Sequence, residues 1–138
     1  MAISALGSDL LPLTQDAMHF YRRLSWHNYE GLSEAGTSRD RVVSDLGKNR
    51  AMILRNHGLV TCGGNVAQAV VLMKYLVDCC ATQLMAQASG EPISLPSEEA
   101  CEKAAAQWDK YYASNPTLDD EWGALVRMVD RLNPGQRA

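Results

Sequence analysis

Three histidines, His19, His27 and His57, carry most of the chemical potential of this sequence. An imidazole can move a proton near neutral pH or ligate a metal ion, so its surroundings decide its role. The most informative pattern is Asn56-His57-Gly58-Leu59, set between the short apolar runs Ala51–Leu54 and Leu59–Cys62. Gly58 permits a positive φ or a close backbone approach, so the chain can turn there and present His57 outward from a sheet end. By spacing alone, a lone histidine at a strand end is more often a structural residue than a ligand. A zinc site built from His19, His27 and His57 would need three separate elements to converge, since no pair has the close spacing that marks such sites. His19 reads as part of a solvated helix face, and His27 as a strand residue beside Trp26.

Other chemistries find little support. No G-x-S-x-G, G-x-x-x-x-G-K-[ST] or G-x-G-x-x-G pattern occurs. Gly63-Gly64 precedes a helix start that could hold an anion, but a plain turn into the helix is the simpler reading. Cys62, Cys79, Cys80 and Cys101 lack zinc-knuckle or C-x-x-C spacing and read as buried thiols in a reducing compartment. Tyr111 and Tyr112 read as one packed and one exposed ring. Glu98, Glu99 and Glu102 read as a solvated face at the positive end of a helix rather than an acid/base pair.

The elements that position these residues alternate. Ala2–Leu6 reads as the end of a strand, and Thr14 caps a short helix over 15–22. Leu24–Tyr29 reads as a second strand, followed by a polar loop over 33–37 and a helix from Ser38 to Leu46 that stops at Gly47. Two close strands flank His57. Asn65 and Gln68 resemble a capping box opening a long helix, with a stripe of Val66, Val70, Met73, Val77, Cys80 and Leu84 that Ala69, Leu72 and Leu76 widen. Ser97 and Thr117 cap two final helices, the last with an apolar stripe of Leu118, Trp122, Leu125, Val129 and Leu132. About four short strands among so much helix give an α/β pattern with open sheet edges.

The 138 residues fit one domain, and their 46% hydrophobic share is ordinary for a folded chain. A formal charge of −3 argues against a nucleic-acid binder, which normally presents a basic face. The apolar stretch from Val66 to Val77 is interrupted by Gln68, Lys74 and Tyr75, short of the roughly 20 apolar residues that span a bilayer. Met1–Leu13 does not read as an export signal. The expectation is a cytoplasmic protein with no nucleic-acid or membrane partner.

The segment Ala51-Met52-Ile53-Leu54-Arg55-Asn56-His57-Gly58-Leu59-Val60-Thr61-Cys62-Gly63 resembles the L-R-N-H-G-L-x-x-x-G segment of the class II aldolase/adducin family. The likeness continues through Ala67, Ala69, Leu76, Cys80, Gln83 and Ala86 in the next helix. Upstream, Ala2–Ala5, Leu10–Leu13 and Tyr29-Glu30-Gly31 are similar in order and spacing. Trp122-Gly123-Ala124-Leu125 with Arg127, Asp130 and Arg131 is similar to the adducin-like branch.

The resemblance implies a three-layer α/β/α sandwich and, in catalytic members, a divalent metal, usually zinc, held by three histidines. That metal would polarise a substrate carbonyl and stabilise an enediolate in aldol cleavage or a related step. His57 matches the last metal histidine. The first two, an H-x-H pair, fall just before Ala2 in the family pattern, and the acidic catalytic residue and phosphate-binding loops fall earlier. Residues 1–138 are therefore expected to be a C-terminal portion of the domain, with the sandwich incomplete at its N-terminal side and no complete catalytic set. The resemblance implies a lyase of small carbonyl or sugar-phosphate substrates in full-length form, with an adducin-like, non-catalytic assembly domain as the alternative. Homo-oligomers, tetramers in catalytic members, are the implied assembly.

Overall fold

The computed structural model describes residues 2–32 and 37–135 of the chain. Its centre is one mixed sheet in the order β1-β2-β3, with β1 at Leu24–His27, β2 at Ala51–Leu54 and β3 at Gly58–Thr61. β1 and β2 run parallel, Trp26 opposite Ile53, so a crossover must join them. Helix α1, Thr37–Leu46, makes that crossover and packs on β1. The loop expected over 33–37 lies, for residues 33–36, outside the described residues. β2 and β3 are antiparallel and joined by the turn Arg55-Asn56-His57. Ala51, Met52 and Ile53 are all buried, as a continuous apolar run on a central strand requires.

The first segment is not a strand. Ala2–Ala5 forms a 3₁₀ turn closed by Leu6 N donating to Ile3 O, and Ile3 and Ser4 are both buried. Strand geometry would have turned one of those two outward. A run this short has no readable period, so sequence could not separate the two conformations. Among the described residues three strands, not four, make up the sheet. Thr14 caps as expected, its hydroxyl accepting from Ala17 N, but the helix is a 3₁₀ turn over Asp16–Phe20.

Helix α2, Val66–Ala88, is the long core helix. Asn65 Oδ1 accepts from Gln68 N at 2.9 Å, and Gln68 Oε1 accepts from Gly64 N at 2.9 Å, one residue earlier than in an ideal capping box. The chain's own side chains thus occupy this helix start, as the plain-turn reading expects. The buried face keeps Leu72, Leu76 and Cys80 of the expected stripe and departs from the rest of it. Gln68, Val71, Leu72, Leu76, Cys79, Cys80 and Gln83 face inward, while Val66, Val70 and Val77 face out. α2 is apolar around most of its circumference, so more than one stripe can be drawn on it. Packing selects the one whose amides meet buried backbone groups: Gln83 accepts from Leu11 N at 2.6 Å and donates to Asp9 O at 2.9 Å.

At 23 residues and a mean hydropathy of 1.4 over its most apolar window, α2 is long and apolar enough to cross a membrane, despite its interruptions. In this structure α2 packs against β3 and buries Gln68 and Gln83.

Helix α3, Glu98–Ser114, starts at the Ser97 cap and packs on the Asp16–Phe20 turn. Arg22 pairs with Glu98 at 2.8 Å, and Arg23 with Glu102 at 2.8 Å and Asp109 at 2.7 Å. The acidic start of α3 is therefore ion-paired as well as dipole-favoured. Helix α4, Asp119–Leu132, is preceded by Leu118 in a left-handed conformation (φ 48°), where Thr117 was the expected cap. Leu118 is buried, and anchoring that side chain fixes the entry angle of α4.

Candidate metal centre

His57 lies at the carboxyl end of β2, in a turn that three backbone bonds hold in place. His57 N donates to Leu54 O at 3.1 Å, Asn56 N to Ser4 O at 2.9 Å and Arg55 N to His27 O at 2.8 Å. The left-handed residue is Asn56 (φ 55°), a residue that tolerates this conformation. Gly58 takes the positive φ expected of it, at 159°, near the extended limit of that range. Arg55 is pinned beneath the turn, its guanidinium 3.7 Å from the centre of the Trp26 ring and bonded to Leu6 O. His57 itself is exposed.

The structure brings His27 and His57 to the same small pocket of about 80 Å³ beside Glu30. His27 is buried and committed: its Nδ1 donates to Asp45 Oδ2 at 2.7 Å, and its Nε2 lies 3.8 Å from Glu30. Glu30 is itself clamped by Arg41 through bonds of 2.7–2.9 Å, which holds its carboxyl below the ordinary range. Sequence reasoning missed this Asp45-His27-Glu30-Arg41 chain. His27 and Glu30 lie three apart, and Arg41 and Asp45 four apart on α1, but only the packing of α1 on β1 joins the two pairs. Among the described residues, no three His, Cys, Asp or Glu side chains converge as a metal site. The residues present thus hold His57 on a fixed turn and do not fit a complete metal centre.

His19 is far from where the sequence placed it. It is not on a solvated face but buried, stacked 3.8 Å from the ring centre of Trp108 and 4.6 Å from that of Tyr75, with Tyr112 at 5.4 Å. The three-histidine site is therefore not formed. Burial pushes the His19 imidazole down to about 4, opposed by the charge of Asp109. The signal was available: Ala17-Met18-His19-Phe20 is apolar apart from the histidine, and Trp108 and Tyr112 sit four apart on α3. Of the paired tyrosines, Tyr112 is buried, and Tyr111 is half-buried and donates to Glu121 at 2.6 Å. Cys79, Cys80 and Cys101 are buried as expected, and burial pushes Cys79 up to about 12, whereas Cys62 is exposed. All four are free thiols.

Comparison with known proteins decides the family. The class II aldolase and adducin N-terminal domain matches residues 1–84 of this chain. The chain belongs to that family. A protein described as a candidate aldolase class 2 protein of Pseudomonas aeruginosa is 36% identical over 99% of this chain and 54% of its own length. This chain therefore spans about half the length of such relatives. The crystal structure of an aldolase II superfamily protein from Pseudomonas syringae superposes with a TM-score of 0.88, at 36% identity, over 99% of this chain and 55% of that one. An L-fuculose 1-phosphate aldolase from Glaciozyma antarctica gives a TM-score of 0.65 at 28% identity, covering 77% of this chain and 39% of its own. The α/β fold expected of a class II aldolase-type domain is thus the observed one.

Proposed function

We propose that this chain is the histidine-turn portion of a class II aldolase-type domain, residues 1–138 forming its C-terminal part. In full-length form the protein is then a metal-dependent lyase acting on small carbonyl or sugar-phosphate substrates. His57 is one ligand of its divalent metal, zinc in the usual family arrangement. The observation that supports this reading is the placement of His57: an exposed imidazole on a turn fixed by bonds to the Ala2–Ala5 turn, β1 and β2. Fixed geometry is what a ligand needs, because a metal site rewards side chains already held in place. The described residues bring no second and third ligand to His57, so this chain alone holds the mount and not the centre. In the full-length protein, His57→Ala should remove bound metal and lyase activity together while far-UV circular dichroism stays unchanged. Retention of stoichiometric metal by that variant refutes the assignment.

A second reading is an adducin-like assembly domain without chemistry, supported by the likeness of Trp122-Gly123-Ala124-Leu125 with Arg127, Asp130 and Arg131 to that branch. A full-length protein that binds no divalent metal at all would decide for it. Either reading includes self-association, supported by an uncovered apolar face of α2 where Val66, Val70, Val77 and Met85 stand exposed. Four free thiols accord with a cytoplasmic setting.

A further inference from the structure

At the opposite end of β2 from His57 lies a cavity of about 220 Å³, lined by residues from the Asp16–Phe20 turn, α3 and the segment that enters β2. Its walls include His19, Trp108 and Tyr112, and its rim includes Lys48, Arg50 and the Arg23–Asp109 pair. Two features set it apart from an ordinary surface dent.

The first is a set of buried polar atoms with no partner. Both ring nitrogens of His19 and the hydroxyl of Tyr112 are shielded from solvent and bonded to nothing, although both residues are more than nine-tenths buried. Native structures leave few such atoms, and each calls for an explanation. Stacking against Tyr75 and Trp108 fixes the His19 ring, so it cannot rotate away to find a partner. A neutral imidazole presents one donor and one acceptor, and a phenol can do either.

The second is charge. Arg23 is matched by Glu102 and Asp109, but among the described residues Lys48 and Arg50 form no ion pair. Arg50 lies 5.5 Å from the centre of the Tyr112 ring, a position that keeps its guanidinium over the mouth of the aromatic wall. The chain as a whole is acidic, at −3, so two unmatched cations beside one cavity are a local reversal of its field.

We infer that this cavity binds a small hydroxycarboxylate, its carboxylate held by Lys48 and Arg50 and its hydroxyl exchanging hydrogen bonds with His19 and Tyr112. The cavity is smaller than the roughly 300 Å³ at which drug-sized pockets begin, so the occupant has only a handful of non-hydrogen atoms. A hydroxyl is the group that satisfies a donor and an acceptor at once, which a neutral imidazole and a phenol together require. A carboxylate matches the planar fork of Arg50. The site is separate from the His57 turn, since β2 stands between them, and it does not depend on a metal.

Sodium glycerate serves as the probe, titrated into the purified chain while the His19 ring resonances are followed by nitrogen-edited NMR. The expected result is a saturable shift with Kd in the low-millimolar range, weakened about tenfold or more by Arg50→Ala and by Lys48→Ala. Both rim residues are exposed, so these variants should keep the fold. Sodium propionate, which lacks the hydroxyl, should bind about tenfold more weakly. His19→Phe should lose the preference for glycerate over propionate while retaining weak anion binding, read from the Trp108 indole resonance. The inference is overturned if glycerate gives no saturable shift, if sodium chloride at equal ionic strength reproduces it, or if Arg50→Ala with Lys48→Ala leaves it intact. Equal affinity for propionate, or binding of inorganic phosphate with none of glycerate, overturns the ligand class.

Discussion

Lowering the pH should weaken this fold through His19 before it does so through any carboxylate. His19 is neutral inside a stack of aromatic rings, and burial takes its pKa from an ordinary 6.5 to about 4. Between those values the unfolded chain holds a proton that the folded chain refuses, so stability is lost as pH falls through the unfolded value. The groups facing His19 are Asp109 and Tyr112 on α3, Tyr75 on α2, and the cations Arg23, Lys48 and Arg50 at the cavity. Of these, Asp109 favours the charged ring, and burial outweighs it. The full gap corresponds to about 3 kcal/mol, and about 2 kcal/mol of it falls between roughly pH 7 and pH 5. That is a large part of the 5–15 kcal/mol typical of a domain. Glu30 and Glu102 act in a lower window: Arg41 and Arg23 depress their pKa values, so their contributions persist above 4.5 and fade only below it. The assay is urea unfolding followed by far-UV circular dichroism across this range, for the wild type and His19→Phe, which keeps a ring in the stack. The stability of the variant relative to wild type should grow by about 2 kcal/mol from roughly pH 7 to pH 5. Parallel curves for the two proteins would refute the reasoning.

Four other outcomes are expected. The isolated chain should carry well under about one zinc per ten molecules by metal analysis, and His57→Ala should leave that value unchanged, since one imidazole leaves an ion mostly hydrated. Gly63→Ala should cost about 2 kcal/mol or more in thermal or urea unfolding. Its Cβ would sit 2.5 Å from Gln68 Cβ and 2.8 Å from Ala69 N, inside the turn that seats α2. Gln83→Leu should cost about 3 kcal/mol and expose the 7–13 segment to protease, because Leu11 N and Asp9 O lose their buried partner. Sedimentation velocity at micromolar concentration should show association of the wild type, reduced by Val70→Asp with Val77→Asp on the exposed face of α2.

Much of the fold was legible where local chemistry and tertiary demand coincide. Ala51–Leu54 reads as a buried strand because every residue in it is apolar, and it is the strand paired on both sides. Asn65 and Gln68 mark the start of α2 because capping is decided within four residues. Legibility fails where the deciding contact is distant. The Ala2–Ala5 turn is held by Ser4 O receiving Asn56 N from the distant turn between β2 and β3. The inward face of α2 is set by Gln83 reaching the backbone of residues 9 and 11, which a hydropathy pattern counts as a polar interruption.

The same distinction runs through the sites. His57 could be singled out because a short motif carries it, and the turn around it is built from residues within three positions of it plus two long-range bonds. The His19 cavity has no motif, since its walls come from residues about 90 positions apart and its polarity is visible only after packing. His19 in an apolar run looks like an error of patterning from the sequence, and in the folded chain it remains one energetically: it adds acid sensitivity and leaves two ring nitrogens unpartnered. A phenylalanine would fill the stack without either penalty. A buried, rigidly stacked imidazole facing unmatched cations is intelligible if the cavity has an occupant. On that argument the destabilising residue and the binding residue are the same side chain, and stabilising it by His19→Phe should remove the selectivity it provides.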